Sequence, residues 1–113
     1  MTCIFCEIAA GKIPAQVIVD TETVLAFRDV SPQAPVHVLV VPKKHVENVL
    51  DLERTDPDLI IQLLNAFKTV VQIENIESSG FRIVTNTGDD GGQSVNHLHF
   101  HILGGRHMTW PPG

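Results

Sequence analysis

The sequence is poor in residues on which several classes of protein depend. Among 113 residues it has two cysteines, one tryptophan and no tyrosine, and its 8 lysines and arginines are outnumbered by 13 aspartates and glutamates. Two cysteines are too few for the disulfide scaffold of a small secreted domain. The formal net charge of −5 argues against nucleic-acid and anionic-membrane partners, because both require a basic face. A small anionic ligand bound locally remains compatible with this charge.

Long apolar runs are also missing. No stretch approaches the ~20 consecutive apolar residues of a membrane span. The opening MTCIFCEIAAGK lacks the basic leader and the sustained apolar segment of a secretory signal, so we expect a cytoplasmic protein. Apolar residues nevertheless make up 43% of the chain, which predicts one domain over residues 1–113 with a single core.

The residue patterns predict an α+β fold. Short strands are expected at residues 17–19, 24–28, 37–41, 80–86 and 96–103, and one or two helical turns at 4–10, ended by Gly11. A long helix is predicted from about residue 57 to 75, with Asp56 as its N-cap and Pro57 in its first position. Its apolar stripe comprises Ile60, Leu63, Leu64, Phe67, Val70 and Val71. Together these elements predict an antiparallel sheet of about five strands with the helix across one face.

Three of the six histidines lie on alternate positions of one run, NHLHFHILGG at 96–105. On a strand, His97, His99 and His101 would share one face, where three imidazoles cost desolvation and add nothing to a core. One interpretation is a metal site. However, the first and third residues would lie ~13 Å apart, whereas zinc–nitrogen bonds are only ~2.0–2.1 Å. The other interpretation is nucleophilic catalysis, because a neutral imidazole attacks phosphorus well.

A glycine-rich loop, TGDDGGQ at 87–93, immediately precedes the histidine run. Its glycines allow a ligand to approach the backbone closely, and backbone N–H groups in such a turn can bind an anion. Gln93 and Ser94 add neutral hydrogen-bond donors. The loop therefore favours a phosphate ligand at the histidines.

The segment HLHFHIL at 97–103 resembles the histidine-triad (HIT) motif, in which three histidines alternate with apolar residues. Four further segments are similar to the Hint branch of that superfamily: CIFCEIAAGKIPA near the start, FRDVSPQAPVHVLVVPKKH at 27–45, NTGDDGGQSV at 86–95, and GGR-x-M-x-WPPG at 104–113. The resemblance covers almost the whole chain. It implies a homodimer that binds purine nucleotides such as AMP or GMP and hydrolyses nucleoside 5′-phosphoramidates, with no cofactor required for catalysis.

The resemblance also implies roles for individual residues. His99 would be the nucleophile and become transiently nucleotidylated, while His101 would hydrogen-bond the phosphate. His37 would support the site from a neighbouring strand, and Ser94 would assist departure of the amine. The implied nucleotide-binding residues are Asp29, Asn86, Gly92, Gln93, Ser94, His99, His101 and Trp110. From the pattern alone, Asp29 is better explained as a turn residue and Ser94 as a strand cap, and the resemblance reverses that preference.

The two cysteines stand in a C-x-x-C spacing, which in a small intracellular chain is typical of half a metal site or a redox pair. Some bacterial relatives in the resembled family hold a structural zinc with two such cysteines and two histidines. The matching set here is Cys3, Cys6, His45 and His97. Two free thiols are the alternative. For the protein as a whole, the alternatives to the phosphoramidate hydrolase are a nucleotide-binding or adaptor protein with vestigial activity, and a zinc hydrolase.

Overall fold

The structure is a computed structural model that describes residues 3–113. Five antiparallel strands form one sheet in the order β1-β2-β3-β5-β4. The elements are, along the chain, α1 (Ile4–Ala9), β1 (Val17–Asp20), β2 (Val24–Arg28), β3 (Val36–Pro42), a 3₁₀ turn (Val49–Asp51), α2 (Leu52–Thr55), α3 (Asp58–Ile73), β4 (Phe81–Val84) and β5 (Phe100–Gly104). The α+β prediction, with five strands and one long helix, is confirmed. Among the described residues, no helix is long and apolar enough to cross a membrane.

The long helix α3 begins and ends close to its predicted bounds, but two details of the prediction were wrong. Within residues 3–113 no side-chain hydrogen bond caps its start, and the Asp56 carbonyl instead accepts the Leu59 N–H. The buried face is also rotated. Ile60 and Leu64 are 38% and 55% exposed, whereas the buried residues are Leu59, Leu63, Ala66, Phe67, Val70 and Val71. The 59–63–66–70 spacing follows the helical period, so Ile60 and Leu64 lie on its flank.

The sheet is covered on both faces. Helix α3 packs on one face against side chains such as Val38, Val40 and Ile102. On the other face, Phe5 of α1 packs with Leu25, Phe27, Leu39 and Val41. Because side chains alternate along a strand, β2 and β3 contribute to both cores and consist almost entirely of apolar residues.

The first half of the histidine run, residues 96–99, does not form the strand that was predicted for it. Strand β5 begins at Phe100 rather than at residue 96. Extending the β3–β5 register would pair Leu98 with Pro42, which has no N–H to donate. The Leu98 N–H bonds instead to the Val46 carbonyl at 2.6 Å. Leu98 still lies in the core beneath α3 while His97 and His99 contact Phe5 on the opposite side, so the predicted alternation holds outside the strand.

Candidate functional site

Within the described residues, the histidines and cysteines predicted as site residues form two neighbouring groups, one of which includes Asp29. We call Asp29, His37, His99 and His101 the imidazole cluster, in which the ring centroids of His101 lie 5.2 Å from those of both His37 and His99. We call Cys3, Cys6, His45 and His97 the cysteine–histidine cluster, whose ligand atoms all lie within 4.8 Å of one another. The two clusters meet at the run His97–Leu98–His99.

Hydrogen bonds assign the tautomers of His37 and His101. The Gln33 backbone N–H donates to His37 Nδ1 at 3.0 Å, so that nitrogen carries no proton in the neutral ring. His37 Nε2 therefore carries the proton and donates it to His101 Nδ1 at 2.9 Å. The remaining proton of neutral His101 is then on Nε2. This chain leaves His101 with a donor that can be offered to a ligand.

His99 has the opposite arrangement. Its Nδ1–H donates to the carbonyl of His97 at 2.7 Å, which leaves Nε2 with a free lone pair. The ring is 5% exposed and packs edge-on against Phe5, with centroids 5.0 Å apart. An oriented, buried imidazole with an unprotonated Nε2 has the form required of a nucleophile.

Burial disfavours the charged forms of His37 and His101. It lowers the pKa of both His37 and His101 below the usual value, and for His101 the neighbouring His99 and His37 act in the same direction. Asp29 opposes both shifts, with its Oδ2 3.5 Å from His37 Nε2. The other carboxylate oxygen of Asp29 accepts the Ser31 N–H at 2.8 Å. Asp29 thus acts as a turn residue and also faces the cluster.

An apolar cavity of about 710 Å³ adjoins the imidazole cluster. Residues of α1 form one wall and β2 and β3 form another, and Asp29 lies among the lining residues. The apolar lining includes Ile4, Phe5, Ile8, Phe27 and Leu39. None of these five was predicted as a site residue from the sequence. The sequence could have indicated two of them. Phe27 lies two residues before Asp29, and Leu39 lies two residues after His37, so each shares a strand face with a predicted site residue.

Side-chain hydrogen bonds hold the glycine-rich loop in a fixed turn. A Cβ on Gly91 would lie 2.3 Å from the Thr87 carbonyl oxygen, so this position requires glycine. Asn86 Nδ2 donates to the Gly91 carbonyl at 2.6 Å. The Gln93 side chain accepts the Gly88 N–H and donates to the carbonyls of Glu47 and Val95. The side chains of Asn86 and Gln93 therefore hold the loop in shape, and Gly92 adopts a positive φ of 77° within it.

Two of the predicted nucleotide-binding residues lie at the surface. Ser94 is exposed, immediately after the loop. Trp110 is 82% exposed, and in the part of the chain that the structure describes it is not among the residues that line the cavity. Neither is brought into the imidazole cluster within a single copy of the chain.

The cysteine–histidine cluster has the geometry of a metal site. His97 Nδ1 lies 3.3 Å from Cys3 Sγ and 3.4 Å from Cys6 Sγ, and His45 Nδ1 lies 3.4 Å from Cys6 Sγ. A tetrahedral zinc ion, with bonds of ~2.3 Å to sulfur and ~2.0–2.1 Å to nitrogen, would separate such atoms by about 3.5 Å. His97 Nε2–H donates to the Pro42 carbonyl at 2.8 Å, which leaves Nδ1 free to bind a metal. The cluster can hold a metal such as zinc.

Without a cation, the Cys6 thiol would remain protonated. Burial, followed by the hydrogen bond and charge of Cys3 and the charge of Glu7, raises the pKa of Cys6 to about 11. Metal binding would have to displace this proton. Asp29, His37 and His101 also lie within 4.8 Å of one another, but His37 Nε2 carries a proton directed at His101 and has no lone pair for a metal. The two groups thus differ in proton placement rather than in spacing.

Known proteins are similar to this chain over nearly its whole length. The HIT domain model matches residues 10–108. An uncharacterised HIT-like protein of Synechococcus elongatus is 46% identical over 110 residues, covering 97% of this chain and 96% of the relative. The structure of a HIT family hydrolase from Legionella pneumophila is 47% identical with a TM-score of 0.94, and the match covers 99% of this chain and 100% of that one. A histidine triad nucleotide-binding protein from Candida albicans is 28% identical with a TM-score of 0.85, over 97% and 83% of the two chains. The chain belongs to the HIT family.

Proposed function

We propose that this protein is a hydrolase of the Hint branch that cleaves purine nucleoside 5′-phosphoramidates through a covalent nucleotidyl-histidine. The observation that carries the proposal is the tautomer of His99, whose Nδ1–H is held by the His97 carbonyl and whose Nε2 is left free. The His99 ring lies beside that of His101, which has a proton to offer, and packs against Phe5 in the wall of a cavity large enough for a nucleoside. The similarity to the hydrolase from Legionella pneumophila supports a hydrolytic reaction, and the similarity to the nucleotide-binding protein from Candida albicans supports a nucleotide ligand.

The reaction proceeds in two displacements at phosphorus. His99 Nε2 attacks the α-phosphorus, the P–N bond breaks, and the departing nitrogen takes up a proton from solvent and leaves as the amine. Water then attacks the same phosphorus and gives up a proton to solvent, the N–P bond to His99 breaks, and AMP or GMP is released while His99 regains its free Nε2. Dividing the hydrolysis in this way replaces one difficult step by two easier ones.

Further residues support these steps. His101 donates its Nε2–H to a phosphate oxygen, and His37 maintains that tautomer by donating to His101 Nδ1. Ser94 assists the leaving amine. Asp29, at the rim of the cavity, binds the ribose hydroxyls through its carboxylate oxygens.

The glycine-rich loop supplies a further contact with the phosphate. Because the side chains of Asn86 and Gln93 already hydrogen-bond within the loop and to the adjoining backbone, we assign them the shaping of the loop, and backbone N–H groups near Gly92 the contact with phosphate. No step needs a metal, because these donors and the imidazoles neutralise the phosphate charge.

We further propose that zinc occupies the cysteine–histidine cluster as a structural ion. All four residues are of types that zinc prefers, and the proton of His97 is already placed on the nitrogen that faces away from the cluster. Elemental analysis of untagged protein tests this directly. One equivalent of zinc per chain is expected. If the protein is isolated in a folded form without metal, and both of its thiols titrate freely, the zinc proposal is contradicted.

The functional unit is proposed to be a homodimer. Within residues 3–113, strand β4 lies at one edge of the sheet and pairs only with β5, and its Phe81 and Ile83 are 42% and 39% exposed. Ile61 and Leu64 of α3 are 61% and 55% exposed, although side chains of this kind are usually covered. Pairing of two β4 edges would cover such residues and give Trp110 a partner subunit to contact. Sedimentation analysis is expected to show a dimer that Ile83→Arg shifts toward monomer.

Turnover of adenosine 5′-phosphoramidate tests the enzymatic proposal. The wild-type protein is expected to release AMP and ammonia. His99→Ala is expected to lose turnover but retain AMP binding, since the cavity is unchanged. His107→Ala serves as the matched control, because His107 is exposed in the tail. Full activity in His99→Ala would contradict the proposal.

A further inference from the structure

Helix α1 belongs to both the cysteine–histidine cluster and the apolar cavity. Cys3 and Cys6 contribute their sulfurs to the cluster. The two residues between them, Ile4 and Phe5, line the cavity. The same short segment therefore supplies half of a metal-ligand set and part of a ligand-binding wall.

The helix has few other means of staying in place. It contains six residues, which is far below the length at which an isolated helix is stable in water. Phe5 is its buried residue, and Ile4 is 48% exposed. Its anchors are the Phe5 ring, the half-buried Ile8 and Ala9, which pack against the same core, and the contacts of Cys3 and Cys6 with His97 at 3.3 and 3.4 Å. Fixing the sulfurs therefore restrains the first turn of the helix, where Ile4 and Phe5 line the cavity.

The contacts of Phe5 extend this connection to the imidazole cluster. Its ring centroid lies 5.8 Å from that of His97, 5.0 Å from that of His99 and 5.9 Å from that of Phe27. Phe5 thus lies between the cavity and the two histidines that join the clusters. A displacement of α1 would open the cavity on the side nearest His99.

We propose that metal occupancy of the cysteine–histidine cluster controls the affinity of the cavity for its nucleoside, by holding α1 against the sheet. The proposal rests on the nucleotide ligand inferred above. Metal–sulfur bonds would tie α1 to His97 and to His45, which lies in the segment after β3. Without them the thiols make only weak hydrogen bonds, and a six-residue helix frays. The cluster then acts on substrate binding without touching the substrate.

Two measurements on the full-length protein test this coupling, with zinc bound and after removal by a chelator. The first is the dissociation constant of AMP by calorimetry, which is expected to rise roughly tenfold or more on zinc removal. The second is hydrogen exchange at the amides of Glu7 and Ala10, which bond to the carbonyls of Cys3 and Cys6 at 2.9 and 3.0 Å. Their exchange is expected to accelerate, while core amides of β3 remain protected.

A variant outside the cavity keeps the proposal testable if zinc removal unfolds the protein. His45 is exposed and belongs neither to α1 nor to the cavity lining. His45→Gln is expected to move the rise in AMP affinity to higher free zinc, with the AMP affinity of the zinc-free protein unchanged. His107→Gln, the matched control, is expected to follow the wild-type zinc dependence. Equal AMP affinity with and without zinc, or a His45→Gln curve that overlies the wild-type curve, would overturn the coupling.

Failure of the function and failure of the coupling give different results. If the zinc-loaded protein bound no AMP or GMP, the nucleotide proposal would be contradicted. The exchange measurement would still decide whether the metal holds α1, since it needs no nucleotide. Protection of Glu7 and Ala10 that is unchanged by zinc removal would overturn the proposal in either case.

Discussion

His97 and His99 are separated by one residue and are both almost fully buried, yet their protons are placed on opposite nitrogens. The Pro42 carbonyl takes the Nε2–H of His97, which turns Nδ1 toward the two sulfurs. The His97 carbonyl takes the Nδ1–H of His99, which frees Nε2. One backbone acceptor for each ring therefore separates a proposed metal ligand from a proposed nucleophile. The residue type alone does not carry that distinction.

The two clusters extend this contrast. In the cysteine–histidine cluster, the ring nitrogen of His97 that faces its neighbours has no proton, so the cluster can accept a cation. In the imidazole cluster, the Gln33 N–H places the proton of His37 on the nitrogen that faces His101, so His37 donates a hydrogen bond there and has no lone pair for a cation. Similar spacing with different backbone hydrogen-bond partners therefore gives the two clusters different chemistry.

The largest effect is expected from a substitution that distinguishes the role of His99 from that of His97. His99→Asn removes the free Nε2, so kcat/KM for an AMP phosphoramidate is expected to fall on the order of 10⁴-fold or more. Zinc content should stay at the wild-type level, because His99 is not in the cysteine–histidine cluster. Kinetics together with elemental analysis check both parts. Loss of zinc with retained turnover would reverse the assignment.

The next effect concerns the donor chain. His101→Ala removes the proposed phosphate donor, and kcat is expected to fall about 10²–10³-fold. His37→Ala leaves His101 in place but no longer fixes its tautomer, so a smaller loss is expected. Steady-state kinetics of both variants check the order. A larger loss in His37→Ala than in His101→Ala would mean that His37 itself contacts the substrate.

His97→Ala is expected to act mainly on stability. The substitution empties a buried position, leaves the Pro42 carbonyl unpaired and removes one proposed metal ligand. The free energy of unfolding is expected to fall by about 3 kcal/mol even with zinc absent from both proteins. Urea denaturation measures this. His107→Ala, at an exposed position, should remain within about 0.5 kcal/mol of wild type.

The smallest effect is a pH dependence of stability. The pKa values of His37 and His101 are lowered in the folded protein, mainly by burial, from an unfolded value of 6.5. Below pH 6.5 the unfolded chain therefore binds more protons, and stability is lost as the pH falls toward the folded pKa values. Each group contributes a slope of at most about 1.4 kcal/mol per pH unit. Urea titrations from pH 7.5 to about 5.5 should show a shallower slope in His37→Gln than in wild type, and identical slopes would contradict this.

The sequence predicted most of the fold because its signals were local. Strand β2 follows from a short apolar run, the end of α1 from Gly11 and the start of α3 from Pro57. Two predictions failed because tertiary contacts decide them. Strand β5 starts at Phe100 because Pro42 cannot pair with Leu98, and the buried face of α3 includes Leu59 rather than Ile60 because of how the helix sits on the sheet.

The candidate site was predictable in its residue types but not in its protons. Motif resemblance named the histidines, the cysteines and Asp29 together. It could not supply the tautomers, since those depend on carbonyls and N–H groups contributed by residues as distant as Pro42 and Gln33. The apolar wall at Ile4, Phe5 and Ile8 was not predicted, because the residue pattern of a short amphipathic helix is the same whether the helix covers a core or a ligand.

The central claim is that His99, and not its neighbour His97, attacks phosphorus through Nε2. Rapid-quench mass spectrometry during turnover of an AMP phosphoramidate tests it most directly, with tandem fragmentation to locate the adduct. The account predicts one adenylyl group on His99 in wild type and none in His99→Asn. An adduct on His97 or His101, or steady turnover with no adduct at any quench time, would contradict it.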